Sequence, residues 1–277
     1  MQTKTLRSEK WMLPLFIVPA AVVFVAFWLL PVASLIVTSG EGPQGFATYW
    51  DVLTTSRYEM SIFLTALLSL GITVITLAAS AIAALFLVRN SFLGRGLLVS
   101  VLTLPLAFPG VVIGFMIIML GGRQGLVGTL SQWATGDRLV FAYSFAGLFV
   151  GYVYFSVPRV ILTLMAACEK LDLQLEEAAR SLGAGTWRVT CDVILPALMP
   201  ALVSTGAICF ATSMGAFGTA FTLNAGIDVL PMLIYNEFTL NANVAVASAL
   251  SVILGLVTWL ALTAARSATG AGFAAAG

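Results

Sequence analysis

The chain is predicted to be an all-α integral membrane protein with six transmembrane helices, and three features of its sequence carry that prediction. Hydrophobic residues fill 60% of its 277 positions and charged residues only 9%, against about 25% charged in an ordinary soluble domain. A chain of this size has too little volume to hide so much apolar surface from water. Six apolar runs, near 12–38, 61–88, 97–120, 139–167, 198–222 and 244–265, each reach the roughly 20 residues a helix needs to cross a hydrocarbon layer about 30 Å thick. The runs are apolar at odd and even positions alike, without the alternation of a transmembrane barrel strand. One transmembrane domain is therefore expected over 1–266, followed by a flexible Ser-, Gly- and Ala-rich tail over 267–277.

Taken in order, the first run is much longer than the apolar part of a signal peptide and is expected to stay as a span. Pro14, Pro19 and Pro31 punctuate it, and Pro105, Pro109, Gly110 and Gly114 punctuate the third. Pro158 sits inside the fourth. Proline removes a backbone donor and bends a helix. Such breaks are tolerated at membrane depth where they face protein or a watery cavity, so these spans are expected to line a pathway. Arg159 follows Pro158 and precedes Glu169 by ten residues, about 15 Å along a helix. That places a charge deep in the membrane, where charges mark function, so Pro158 and Arg159 are pathway candidates. A Gly-rich break, Met214 to Gly218, falls at the outer end of the fifth run and makes Gly215, Phe217 and Gly218 gate candidates. The segments 39–60 and 223–243 read as polar, irregular outer loops.

Orientation follows from the basic residues, which favour the cytoplasmic side. With the N-terminus inside, Lys4, Arg7, Lys10, Arg89, Arg95, Lys170, Arg180, Arg188 and Arg266 lie inside, while Arg57, Arg123 and Arg138 lie outside. Both termini are therefore expected in the cytoplasm.

Composition also excludes. A net charge of +1 offers no basic patch for nucleic acid. There is no histidine, the usual metal ligand and general base. Cys168, Cys191 and Cys209 lack metal-ligand spacing and read as free thiols. No phosphate-binding loop or nucleophile elbow occurs, so no catalytic residue, metal or cofactor is expected and the chain is not read as an enzyme.

One inner loop, 168–197, differs from everything around it. It holds Glu169, Lys170, Asp172, Glu176, Glu177, Arg180, Arg188 and Asp192. Leu171, Leu175, Ala178, Ala179 and Leu182 recur between these charges at helical spacing. Gly183 then stops the helix, and a second amphipathic run, Thr186 to Leu195, ends at Pro196. So short a helical hairpin is not stable alone and needs a membrane surface or a partner's groove.

The string Glu177-Ala178-Ala179, Gly183, Leu195-Pro196 resembles the EAA loop of the permease subunits of binding-protein-dependent ABC importers. Val193 stands where that family usually has isoleucine, while Leu182, Ala184 and Pro200 agree with it. The resemblance implies the type I importer permease fold, with the loop as a coupling hairpin. Glu177, Ala178, Ala179, Gly183, Leu195 and Pro196 would then couple to ATP hydrolysis on a separate cytoplasmic ABC ATPase dimer. It further implies a second permease subunit, with a heterodimer preferred over a homodimer, an extracytoplasmic solute-binding protein, and a place in the bacterial inner membrane. Glu169-Lys170-Leu171-Asp172 is similar to polyamine-type permeases, whereas Arg159 suits an anionic or zwitterionic solute such as a phosphonate, so the solute stays open between these. The rival reading is an ion-coupled secondary transporter, which usually needs membrane-embedded acids or histidines; almost no deep acid occurs in these spans and no histidine at all.

Overall fold

The computed structural model describes residues 17–223 and 226–275, with side-chain surroundings through Ser267. Among these residues the backbone is helical without strands, and six helices are long and apolar enough to cross a membrane. Lys4, Arg7, Lys10 and Pro14 lie outside the described residues.

Helix α1 (Ile17–Ser39) contains a π turn at Val25–Leu29, where the Leu30 N–H bonds to the Val25 carbonyl. Pro31 comes next. Proline has no N–H for the carbonyl four residues back, and a π turn shifts the ladder around that gap. The segment 39–60, expected to be irregular, holds the short α2 (Thr48–Thr54) and the start of α3 (Ser56–Arg89).

The run near 97–120 is not one span. Helix α4 (Arg95–Thr103) passes into a tight turn at Leu104–Ala107. The chain then extends at Phe108 and Pro109 before α5 (Gly110–Gly121). Proline disfavours helix in the residue before it, which a hydropathy count does not register. The helix long and apolar enough to cross is instead Gly110–Thr135, built of α5 and α6 (Leu126–Thr135).

Helix α7 (Phe145–Cys168) starts later than the apolar run near 139. Residues Phe141 and Ala142 form a turn whose N–H groups both bond to the Gly121 carbonyl, at 2.9 and 3.0 Å. Helix α8 (Leu173–Ser181) follows, then α9 (Thr186–Met214). Pro196 does not end a helix, contrary to the expectation. A π turn at Thr190–Ile194 precedes it, with the Leu195 N–H bonded to the Thr190 carbonyl, and the helix runs on. The same device thus carries the chain past Pro31 and Pro196. After α10 (Gly218–Leu223), the second expected loop contains α11 (Leu230–Thr239). Helix α12 (Val244–Ala275) takes in most of the expected tail, whose alanines favour helix.

The described chain forms two compact units. In the unit up to Glu59 with Ile234–Ile253, the buried Glu237 accepts a hydrogen bond from the Tyr58 hydroxyl at 3.2 Å and lies 3.6 Å from the Arg57 guanidinium. The unit of Met60–Leu233 and Leu254 onward has two apolar cores. One gathers Leu68, Ile72, Ile117, Leu148, Tyr152 and Leu223. The other gathers Ala84, Leu87, Val160, Ile161, Leu164 and Leu198. Along α3 a buried polar seam, Ser69, Thr73, Thr76 and Ser80, separates them, its spacing keeping one helix face. In lipid, small and hydroxylated residues let helices approach closely. A Cβ added at Gly206 of α9 would come within 2.8 Å of Leu77 of α3.

Candidate functional site

Two features of the larger unit concentrate the predicted residues. The first is the hairpin of α8 and the start of α9. Asp172 caps α8 by accepting a bond from the Gln174 N–H at 2.9 Å, as short acceptors do at helix starts. At the other end Gly183 has φ +85°, the left-handed conformation that costs glycine least. The Gly183 N–H bonds to the Arg180 carbonyl at 2.9 Å and the Ala184 N–H to the Ala179 carbonyl at 3.1 Å. This pair of bonds satisfies carbonyls that a helix end leaves open.

The hairpin is anchored by charge. Glu176 is buried and its carboxylate accepts a bond from the Arg89 guanidinium at the end of α3. Glu177 and Ala178 are exposed and Ala179 is half-buried. The leucines of the amphipathic run face away from the bundle: Leu175 is exposed, Leu182 is 89% exposed, and Trp187 across the turn is 79% exposed. The side of α8 that meets Arg89 needs a carboxylate, since a charge taken out of water must be paired. That demand turns Glu176 inward and the leucines outward. Leu195 and Pro196 are exposed and lie just past the π turn of α9.

The second feature is a groove between α7 and α9, formed by three hollows that share lining residues. The first, about 410 Å³, is lined by Phe155, Arg159, Gly215, Phe217 and Gly218 among others. The second is a narrow waist of about 80 Å³ that shares Arg159 and Thr212 with it. The third, about 590 Å³, shares Thr163 and Thr205 with the waist and reaches Lys170 and Asp172 at the hairpin. From Phe155 to Lys170 the groove follows roughly 22 Å of helix. The Arg159 guanidinium lies 5.8 Å from the centre of the Phe155 ring, within range of a cation–π contact. Arg159 and the three gate candidates therefore share one hollow, whereas Pro158 is buried and outside its lining.

The break after α9 is held in place. The buried Tyr152 hydroxyl donates to the Ala216 carbonyl, satisfying a backbone acceptor that the broken helix leaves free. The Thr219 hydroxyl donates to the Gly110 carbonyl at 3.0 Å. A Cβ at Gly114 would stand 2.6 Å from the Thr222 side chain, so only glycine lets α5 and α10 come this close.

Sequence reasoning missed Arg89, Tyr152, Glu176 and Thr205. Tyr152 and Thr205 sit in apolar runs where a hydroxyl reads as neutral. Glu176 and Glu177 are neighbours, and no pattern says which turns inward. An arginine at the end of an apolar run, Arg89, was the one available hint of a carboxylate partner.

Six apolar helices, a glycine-turned hairpin and a groove ending at a broken helix define a multi-pass membrane permease. The chain belongs to the family described as binding-protein-dependent transport system inner membrane component, whose profile matches residues 76–269, and so it is a permease subunit of a binding-protein-dependent ABC importer. Among its relatives, the molybdenum transport system permease protein ModB of Escherichia coli K12 is 39% identical over 142 residues, 51% of this chain and 61% of that protein. The match thus spans about three fifths of that relative's length. The sulfate transport system permease protein CysT of the same organism is 31% identical over 79% of this chain and 80% of its own. The putative 2-aminoethylphosphonate transport system permease protein PhnU of Salmonella typhimurium LT2 is 30% identical over 95% of this chain and 94% of its own. The fold matches that in a crystal structure of a bacterial alginate ABC transporter in complex with an alginate pentasaccharide-bound periplasmic protein. There the TM-score is 0.79 at 17% identity, over 96% of both chains.

Proposed function

We propose that this permease carries a small oxyanion inward through the groove between α7 and α9, driven by an ATPase that grips the α8 hairpin. The observation that carries the reading is Arg159. It is the charged side chain lining the hollow at the broken helix, and that hollow and the waist contain no acid among their lining residues. Of the two solute classes left open by the sequence, polyamine and phosphonate-like, an acid-free lining with an arginine suits the anion, because like charges repel strongly where water is scarce. The relatives named for molybdenum, sulfate and 2-aminoethylphosphonate transport support the same class.

The groove is open along its side and is completed by a second permease subunit, with a heterodimer preferred. Glu177, Ala178, Ala179 and Gly183 meet the ATPase, with the exposed Leu175, Leu182 and Trp187 as the apolar surface it covers. An exposed apolar cluster of this kind on a folded hairpin is the mark of a docking site. The hairpin and both termini lie in the cytoplasm, and Gly215, Phe217 and Gly218 form part of the outer gate where a binding protein delivers solute. ATP-dependent uptake by vesicles holding the whole transporter tests this reading. With Arg159→Ala, oxyanion uptake is expected to vanish while the assembly purifies intact. Full uptake by that variant would remove Arg159 from the pathway.

A further inference from the structure

Two hydrogen-bonded moorings fix where the chain leaves the bundle before α6. The Arg95 Nε, at the start of α4, donates to the Leu87 carbonyl at 2.6 Å, in the last turn of α3 beside the α8 hairpin. The Gly121 carbonyl, at the end of α5, accepts the Phe141 and Ala142 N–H groups, just before α7 begins at Phe145. Helix α7 is 24 residues long, about 36 Å at 1.5 Å per residue, and runs from there to Cys168 at the hairpin. Alone it covers a hydrocarbon layer of about 30 Å. The end of α5 and the start of α7 therefore stand at one level, at the end of the bundle away from the hairpin, and residues 122–140 lie beyond it. Length and hydropathy make Gly110–Thr135 a candidate span, but the return of the chain to Gly121 takes α6 out of the layer that α7 crosses.

Beyond that level α6 is tied on one side and open on the other. The Ser131 hydroxyl accepts from the Leu139 N–H at 2.8 Å. Arg138 donates to the Gln132 amide oxygen at 2.6 Å and to the Arg123 carbonyl at 3.1 Å. The opposite side carries Leu126, Leu130 and Trp133 at i, i+4 and i+7, one stripe of a helix, and these are 67%, 65% and 90% exposed. We infer that α6 lies in the plane of the membrane surface, with this stripe seated at the boundary between phospholipid headgroups and acyl chains. An apolar row backed by a polar face is the build of an in-plane helix. Tryptophan is enriched at that depth, its ring apolar and its N–H polar. Arg123 and Arg138 are exposed and flank the helix, and a guanidinium is the complement of a lipid phosphate. Only four residues join Gly121 to Leu126, which keeps the stripe close to the bilayer and makes a soluble partner the poorer fit. The inference is independent of the solute.

The test uses the complete transporter in proteoliposomes, with the three native cysteines replaced and one nitroxide label on an introduced cysteine. Leu130→Cys places the label in the stripe, and Thr135→Cys places it on the opposite, exposed side. Power-saturation EPR compares collisions with oxygen, which concentrates in lipid, and with a water-soluble nickel chelate. The Leu130→Cys label is expected to meet oxygen in excess and the Thr135→Cys label nickel in excess. Nickel in excess at both positions overturns the lipid contact. So does a Leu130→Cys label that becomes shielded only when the binding protein is added, which would make the stripe that protein's seat. Oxygen in excess at both would put α6 inside the span and overturn the in-plane placement. A second measurement leaves the cysteines in place. With lipids brominated near the top of the acyl chain, lipid quenching of tryptophan fluorescence is expected to be smaller in Trp133→Phe than in the unsubstituted protein, and equal quenching would remove Trp133 from the boundary.

Discussion

At the scale of single residues, two positions decide most. Gly183 adopts φ +85° with nothing within 4 Å of where a Cβ would sit. Any substitution there pays for backbone conformation and not for a clash, about 1–2 kcal/mol for a residue other than glycine or asparagine. Gly183→Ala is therefore expected to weaken co-purification with the ATPase, and Gly183→Asn to retain it, as a pull-down from solubilised membranes would show. Equal behaviour of the two would mean that the left-handed turn is not what the partner reads. Arg159 is the second such residue. Its place in an apolar run beside Pro158 was legible in the sequence, because a charge there stands out. That the buried Thr205 hydroxyl lacks a hydrogen-bond partner among the described residues was not legible, since only the positions of its neighbours reveal it.

At the scale of elements, the hairpin shows what a motif says and what it leaves unsaid. Its spacing told of a helix, a glycine turn and a second helix, and α8, Gly183 and α9 follow that order. Which of its faces packs inward was not legible, because helical spacing cannot tell a leucine stripe that packs from one that waits for a partner. The Arg89 and Glu176 pair settles the facing. Removing Glu176 leaves the half-buried Arg89 guanidinium uncompensated, at a cost below the about 3–5 kcal/mol of a fully buried pair. Glu176→Ala is expected to lower the thermal unfolding midpoint of the purified permease and to loosen its grip on the ATPase. The exchange Arg89→Glu with Glu176→Arg is expected to recover part of both. No recovery in the exchanged protein would show that the pair acts through more than its mutual attraction. The third apolar run marks a different limit. Hydropathy joined residues across Phe108 and Pro109, where backbone sterics, invisible to a hydropathy count, force the chain to extend.

At the scale of the whole molecule, span number and class were legible because lipid imposes them: each crossing needs its own long apolar helix. The groove was not, since it arises only when α7 and α9 bring Arg159, Thr205 and the Gly215 break side by side. The sidedness of the molecule is open to a direct check. A cysteine placed at exposed Leu182 of the hairpin, with the native cysteines replaced, is expected to react with a membrane-impermeant maleimide only after cells are opened. Labelling in intact cells would reverse the topology. The proposed path for an oxyanion opens only when an ATPase works on the hairpin, so the energy source is the point that decides it. The measurement that tests it most directly is oxyanion uptake by proteoliposomes holding the complete transporter, with ATP and ion gradients supplied separately. Uptake is expected to require ATP on the hairpin side and to be indifferent to ionophores. Uptake driven by an ion gradient in the absence of ATP would contradict it.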